Sequence, residues 1–207
     1  HSKASGLERK RQEEHKHKYK MKTTFSLERA CIKIQRKAKQ LKHKKMTPEE
    51  ISLLPYRPCV GIVLINKNKN IFGAQRIDSK TNAWQMPQGG IDDGEKPLNA
   101  AFRELEEETG IEAQATSYID KMDELIPYDL PVELIPKLWK GKYRGQMQQW
   151  FLLKFLQNDD LINIKTKQPE FSHWKWMTKE EMLKNIVPFK LNTYQTVFQY
   201  FDKHLNS

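Results

Sequence analysis

The chain has 207 residues, the size of one ordinary domain plus an appendage. A hydrophobic share of 38% with 10% aromatics is enough for a real core, and no apolar run approaches the ~18 residues of a membrane span. The net charge of +10 is unevenly placed: residues 1–45 carry 16 Lys/Arg against four Glu, a net of +12, which leaves −2 for the rest. The basicity therefore belongs to an N-terminal arm, and a nucleic-acid reading applies to that arm first. The two cysteines, Cys31 and Cys59, have no metal-ligand spacing and build no disulfide framework, so a reducing, cytoplasmic compartment fits. The arm lacks the apolar stretch of a secretory signal. From Met21 onward it is basic, Ser/Thr-bearing and poor in acids, which leaves organellar targeting open.

Residues 1–22 are almost wholly polar and read as disordered or weakly helical. Leu27, Cys31, Ile34, Ala38 and Leu41 then recur at steps of four and three, a narrow apolar stripe on a basic helix over 26–45. Such a helix docks on its own domain or a partner helix, or offers its basic face to RNA or a membrane surface. The expected division is a basic extension, 1–50, and a domain, 51–207. Thr47–Glu50 starts a short helix that Pro55 and Pro58 stop. Val60–Ile65 and Ile71–Ala74 read as buried strands, and Met86–Gly94 as a Gly/Pro-rich loop. A helix is expected over about 97–109, with strands at Ser117–Met122, Trp150–Leu156 and Trp174–Met177. Thr178 caps a further helix, and a last amphipathic helix covers about 191–204. Strands and helices mixed without regular βαβ alternation indicate an α+β fold.

The chemistry is concentrated between Gly89 and Ile111. On a helix with about 100° per residue and Glu104 at zero, Glu108 lies near 40°, Glu107 near 300° and Arg103 near 260°. Leu98, Ala101, Phe102 and Leu105 occupy the arc from about 60° to 160°, which packs into a core. Three carboxylates at i, i+3 and i+4 repel one another and give a helix nothing structurally. The arrangement makes sense with a cation between them. Hard oxygen ligands suit Mg²⁺ or Mn²⁺, more than one ion, with substrate phosphates completing the shell. Such ions neutralise phosphate charge and lower the pKa of coordinated water. The glycine-rich loop before the helix lets backbone approach metal and phosphate closely. A solvated acidic helix face is the plainer reading, and the surrounding residues overturn it.

Gly89, Glu95, Arg103, Glu104, Leu105, Glu107, Glu108, Gly110 and Ile111 fill all nine specified positions of G-x5-E-x7-R-E-U-x-E-E-x-G-U, where U is aliphatic. The chain resembles the Nudix superfamily, whose fold is a mixed β-sheet sandwiched between helices. The resemblance implies Glu104, Glu107 and Glu108 as principal metal ligands, with the Gly89 carbonyl also touching a metal. It implies that Arg103 holds the catalytic glutamate face, and that Glu95 and Gly110 support the loop and helix.

Tyr56–Gly61, Ala83–Gly90, Gly145–Leu153 and Pro169–Phe171 resemble one Nudix subgroup. It contains bacterial RNA 5′-pyrophosphohydrolases, invasion-associated hydrolases and plant-type diadenosine tetraphosphate hydrolases. The likeness covers about residues 55–203. It makes Glu170 a further acidic ligand or the general base, against a plain strand-edge acid after Pro169. Arg76 and Phe189 match positions that hold the substrate's base, against a strand-end charge and a core ring. Arg57 and Lys190 are phosphate contacts or surface charges, and Gln88 belongs to the substrate-binding set. Gln149 departs from the subgroup, which often has Lys or Arg there. The Pro-bearing stretch Tyr128–Lys142, with Trp139, tilts the reading toward dinucleoside polyphosphates beside the 5′-triphosphate end of RNA. Two other classes compete with an active hydrolase. A silent nucleotide-binding module would have lost one of the three glutamates, and none is lost. A protein working only through its basic arm would bind RNA with residues 1–50 alone.

Overall fold

A computed structural model of the chain describes residues 46–78 and 81–206, and the basic helix expected over 26–45 lies outside them. Contacts divide the chain into 1–50 and 51–207, and the architecture below is that of the second unit. The short helix α1 (Pro48–Ser52) is opened by Thr47, whose Oγ1 accepts from the Glu50 amide while Glu50 Oε2 accepts from the Thr47 amide.

The eight strands among the described residues form one mixed sheet. They are β1 (Tyr56–Ile65), β2 (Ile71–Arg76), β3 (Trp84–Gln85), β4 (Gln88–Gly90), β5 (Thr116–Lys121), β6 (Ile126–Asp129), β7 (Gly145–Phe155) and β8 (Phe171–Met177). The main path runs β3-β2-β1-β7-β5, with β4 on β1, β6 on β7 and β8 on β2. Its spine is the parallel pair β1·β7, in register from Tyr56↔Gly145 to Ile65↔Lys154.

Both spine strands are buried on both faces, so they read as apolar runs rather than as alternation. Val60, Ile62, Leu64, Phe151, Leu153 and Phe155 point to one side, where Ala100, Ala101 and Leu105 of helix α2 (Pro97–Thr109) cover them. Val63, Ile65, Trp150 and Leu152 point to the other. There they meet α3 (Lys179–Asn185) and α4 (Leu191–Tyr200), through Met182, Tyr194, Val197 and Phe198. The fold is α+β, a sheet between helical layers.

Several expectations need correction. The Met86–Gly94 loop contains a strand, β4, because the Gln88–Gly90 backbone pairs with Cys59–Gly61. The strand placed at Trp150 begins at Gly145, since Gln146 and Gln148 are buried polar residues that hide it from an apolar reading. The Ile126–Asp129 segment, given no element above, is β6, paired with the start of β7. The last helix breaks at Phe201, and Asp202–Leu205 forms a separate turn of helix, α5. No helix among the described residues is long and apolar enough to cross a membrane.

Candidate active site

Helix α2 starts at Pro97, whose missing N–H is no loss in a first turn. It stops at Gly110, which adopts φ 70° and returns its N–H to the Glu106 carbonyl at 2.8 Å. Only glycine takes that left-handed conformation freely, and it lets Ile111 turn down into the core.

Gly89 in β4 lies under the helix so closely that a Cβ there would sit 1.9 Å from Glu104 Cδ. The glycine is what brings the backbone against the Glu104 carboxylate. Arg103 then ties the two segments together. Its Nε and Nη2 donate to both Glu95 oxygens at 3.0 and 2.8 Å, and Nη2 also donates to the Gly90 carbonyl at 2.8 Å. Its Nη1 reaches Glu104 at 2.9 Å and Glu107 at 3.3 Å. These bonds, that to Glu95 above all, raise the guanidinium's already high pKa and hold Glu95 low. Glu95 also accepts from the Asp92 amide at 3.1 Å, which closes the loop onto itself.

The three helix carboxylates differ in environment. Glu107 is 59% exposed. Glu104 is partly covered, and burial raises its pKa although Arg103 opposes the shift. Glu108 is 2% exposed, so the reading of all three as one open face is corrected for it. Near 40° on the wheel it lies beside the apolar arc, and β4 covers that flank, with the Gln88 amide donating to Glu108 Oε2 at 3.1 Å. Burial, then repulsion from Glu170 and Glu104, pushes Glu108 well above the usual carboxylate range.

A cleft of about 560 Å³ opens along this face, with Glu104, Glu107 and Glu108 on one side and Thr166, Lys167 and Glu170 on the other. Among the described residues no three His, Cys, Asp or Glu side chains close into a ready-made metal cage. Mg²⁺ does not require one, because it takes one or two carboxylates and keeps water and phosphate oxygens for the rest of its shell. Glu104, Glu108 and Glu170 repel one another across the cleft, so the donor set fits a divalent cation.

Glu170, just before β8, accepts from Arg76 Nη1 at 2.7 Å, and Asp78 grips the same guanidinium with both oxygens at 2.7 and 3.0 Å. Arg76, at the end of β2, thus sits between two carboxylates. Asp78, two residues from Arg76, was not anticipated, and neither were Thr166 and Lys167.

Behind Gln88 lies a second polar group. Lys190 is 6% exposed, so it is no surface charge. Its Nζ donates to Gln88 Oε1 at 3.1 Å and Gln85 Oε1 at 3.4 Å, and lies 5.6 Å from the Tyr128 ring centre. Burial, with repulsion from Arg76, lowers its pKa to about 8. Gln148 donates to Gln88 and Gln146, and the buried Gln85 Nε2 and Gln148 Oε1 have no partner among the described residues. Gln146 and Gln148, at i and i+2 of β7 and so on one face, were the signal for this polar cluster. Gln149 faces the other way, its amide at the Met122 carbonyl. Phe189 is half-buried, its ring 5.9 Å from that of Tyr128, and belongs to neither core cluster. Arg57 lies 5.1 Å from the Trp139 ring centre.

The NUDIX domain profile matches residues 55–197, and the chain belongs to that family. It is a Nudix hydrolase, an enzyme acting on acid anhydrides in phosphorus-containing substrates. An RNA pyrophosphohydrolase of Roseobacter denitrificans is 52% identical over 160 residues, spanning 77% of this chain and 100% of the relative. One from Rickettsia conorii is 49% identical over 150 residues, 72% of this chain and 91% of the relative. Among solved structures, the E. coli dihydroneopterin triphosphate pyrophosphohydrolase superposes with a TM-score of 0.58 at 20% identity, covering 72% of this chain and 99% of that one. A C. elegans Ap4A hydrolase binary complex gives 0.52 at 20% identity, with 70% and 98% covered. Both carry the same fold.

Proposed function

We propose that the chain releases pyrophosphate from the 5′-triphosphate end of RNA. The observation that carries this reading is the continuity of the carboxylate face with a cationic cluster through one residue. Gln88 gives its amide to Glu108 and its side-chain oxygen to Lys190. Arg57 and Lys190 both lie within electrostatic reach of Cys59 beside that cluster. A triphosphate laid across Gln88 has its negative charge met by these cations at one end and its reacting phosphorus beside Glu104, Glu107 and Glu108 at the other. The relatives named RNA pyrophosphohydrolase, near half identity over most of their length, support RNA as the substrate class.

Divalent ions, Mg²⁺ or Mn²⁺, would be held by Glu104, Glu107, Glu108, Glu170 and the Gly89 carbonyl. They would supply charge neutralisation on the phosphates and a lowered pKa for the attacking water. Arg103 keeps Glu104 and Glu107 in place, and Glu170 takes the water's proton or serves as a further ligand. Arg76 and Phe189 hold the first base, and Arg57 and Lys190 the phosphates. Dinucleoside polyphosphates present the same phosphate chain and are the competing substrate class.

The test compares turnover of 5′-triphosphorylated RNA with that of diadenosine tetra- and pentaphosphate under one Mg²⁺ concentration. A higher kcat/KM on RNA, with pyrophosphate and 5′-monophosphorylated RNA as products, is expected. Efficient dinucleotide cleavage with no pyrophosphate from RNA would overturn the assignment.

A further inference from the structure

The segment 131–144, which leads from β6 into β7, combines three features that the reaction above does not use. Trp139 and Lys140 have φ 45° and 59°, and Gly141 follows at 71°. Two successive non-glycine residues in the left-handed region, one of them an indole, are a backbone cost that persists only where the surroundings impose it. That cost falls where the Trp139 ring meets Arg57, at 5.1 Å from its Cζ, with Tyr143 edge-on to the same ring at 6.1 Å. The segment is also basic. Lys137, Lys140, Lys142 and Arg144 face a single acid, Glu133. Arg144 is engaged by Asp129 at 2.8 Å, whereas Lys137, Lys140 and Lys142 are exposed and form no ion pair among the described residues.

The contacts run without a gap from this segment to the catalytic face. The parallel register sets Arg57 beside Gln146, two residues past the end of the segment. The Arg57 guanidinium lies on the Gly90 α-carbon, where a Cβ would be 2.2 Å from Nη2. The Gly90 carbonyl in turn accepts from Arg103. A partly exposed indole flanked by unpaired lysines and joined to a phosphate-binding arginine has the composition of a single-strand nucleic-acid surface: an aromatic face for a base, and cations along a backbone track.

We propose that segment 131–144 receives the single-stranded RNA that follows the 5′ triphosphate, with Trp139 stacking on a base and Lys137, Lys140 and Lys142 meeting backbone phosphates. This rests on the RNA reading above and adds a second point of attachment, which a free nucleotide does not reach. Such a surface would make affinity grow with RNA length, and sequence would matter little, because stacking and charge tolerate any base.

Binding separates the surface from the chemistry. In the full chain with Glu107→Gln to suppress turnover, affinities are measured for ATP and for triphosphorylated RNA about eight nucleotides long. Trp139→Ala should weaken the RNA roughly tenfold and leave ATP within about twofold, with Trp139→Phe restoring most of the loss. The combined Lys137→Ala, Lys140→Gly and Lys142→Ala variant should flatten the slope of log affinity against log salt by about 2. Glycine at 140 keeps the left-handed backbone. Equal losses on ATP and RNA would show that Trp139 only buttresses Arg57, and unchanged RNA binding would remove the surface altogether. If wild-type protein released no pyrophosphate from RNA while these length-dependent losses held, the proposed substrate would fall and the surface would stand.

Discussion

Glu108→Gln should make the protein more stable and less active at once. The carboxylate is 2% exposed, and its hydrogen bond from the Gln88 amide survives because glutamine keeps an acceptor oxygen. What the substitution removes is a buried negative charge repelled by Glu170 and Glu104. Relieving such a site stabilises by about 1–2 kcal/mol, or about 2–8 °C in Tm for a domain of this size. The pH dependence follows from the direction of the shift. A carboxyl whose folded pKa lies above its unfolded value binds its proton more tightly when folded. Its ionisation therefore costs stability above the folded pKa and costs nothing below the unfolded one. The gap between variant and wild type should open as pH rises from ordinary carboxylate values toward neutrality and close in acid. Melting curves in EDTA across that range read it directly. Adding Mg²⁺ should raise the wild-type Tm selectively, because a ligand stabilises the form that binds it. A variant less stable than wild type at neutral pH in EDTA would refute the argument, since it would mean that the charge is compensated where it lies.

Glu107→Gln should lower kcat at least a hundredfold with Tm nearly unchanged, because the exposed side chain packs little while the ions it would help hold stabilise the transition state. A near-wild-type rate at saturating Mg²⁺ would remove Glu107 from the site. Gly89→Ala should cost about a hundredfold in kcat by pushing Glu104 aside, with circular dichroism retained; full activity would contradict the close approach. Phe189→Ala should cost about 1–3 kcal/mol in kcat/KM on every nucleotide substrate alike. Its Tm should fall less than for a core ring, and an unchanged kcat/KM would exclude base stacking there. Removal of residues 1–46 should leave turnover of a small dinucleotide within a few fold, and abolished hydrolysis would assign the arm to the catalytic unit.

Local rules written in the sequence decided a good part of this protein. The helix over 97–109 was readable from its apolar arc and from its stop at Gly110, because both depend on residues within one or two turns. The nine-position motif named the family through spacing alone. The β1 core and the Thr178 cap were legible for the same reason, as period and capping are properties of neighbours in the chain.

The environment of each group was decided elsewhere. Identical glutamates on one helix became an exposed carboxylate, a largely covered one and a fully buried one, because β4 folds over one flank. Lys190 read as a surface charge or phosphate contact. Only the tertiary fold puts it behind Gln85 and Gln88, more than a hundred residues away, where burial weakens its hold on a proton. The pairing of Arg76 with Glu170 spans 94 residues, and no local pattern announces it. The parallel register of β1 on β7 likewise sets Arg57 beside the 131–144 segment. Hydrophobic period reports which face of an element is covered, but charge, desolvation and ligand geometry depend on what covers it, and that is settled only when distant strands pair.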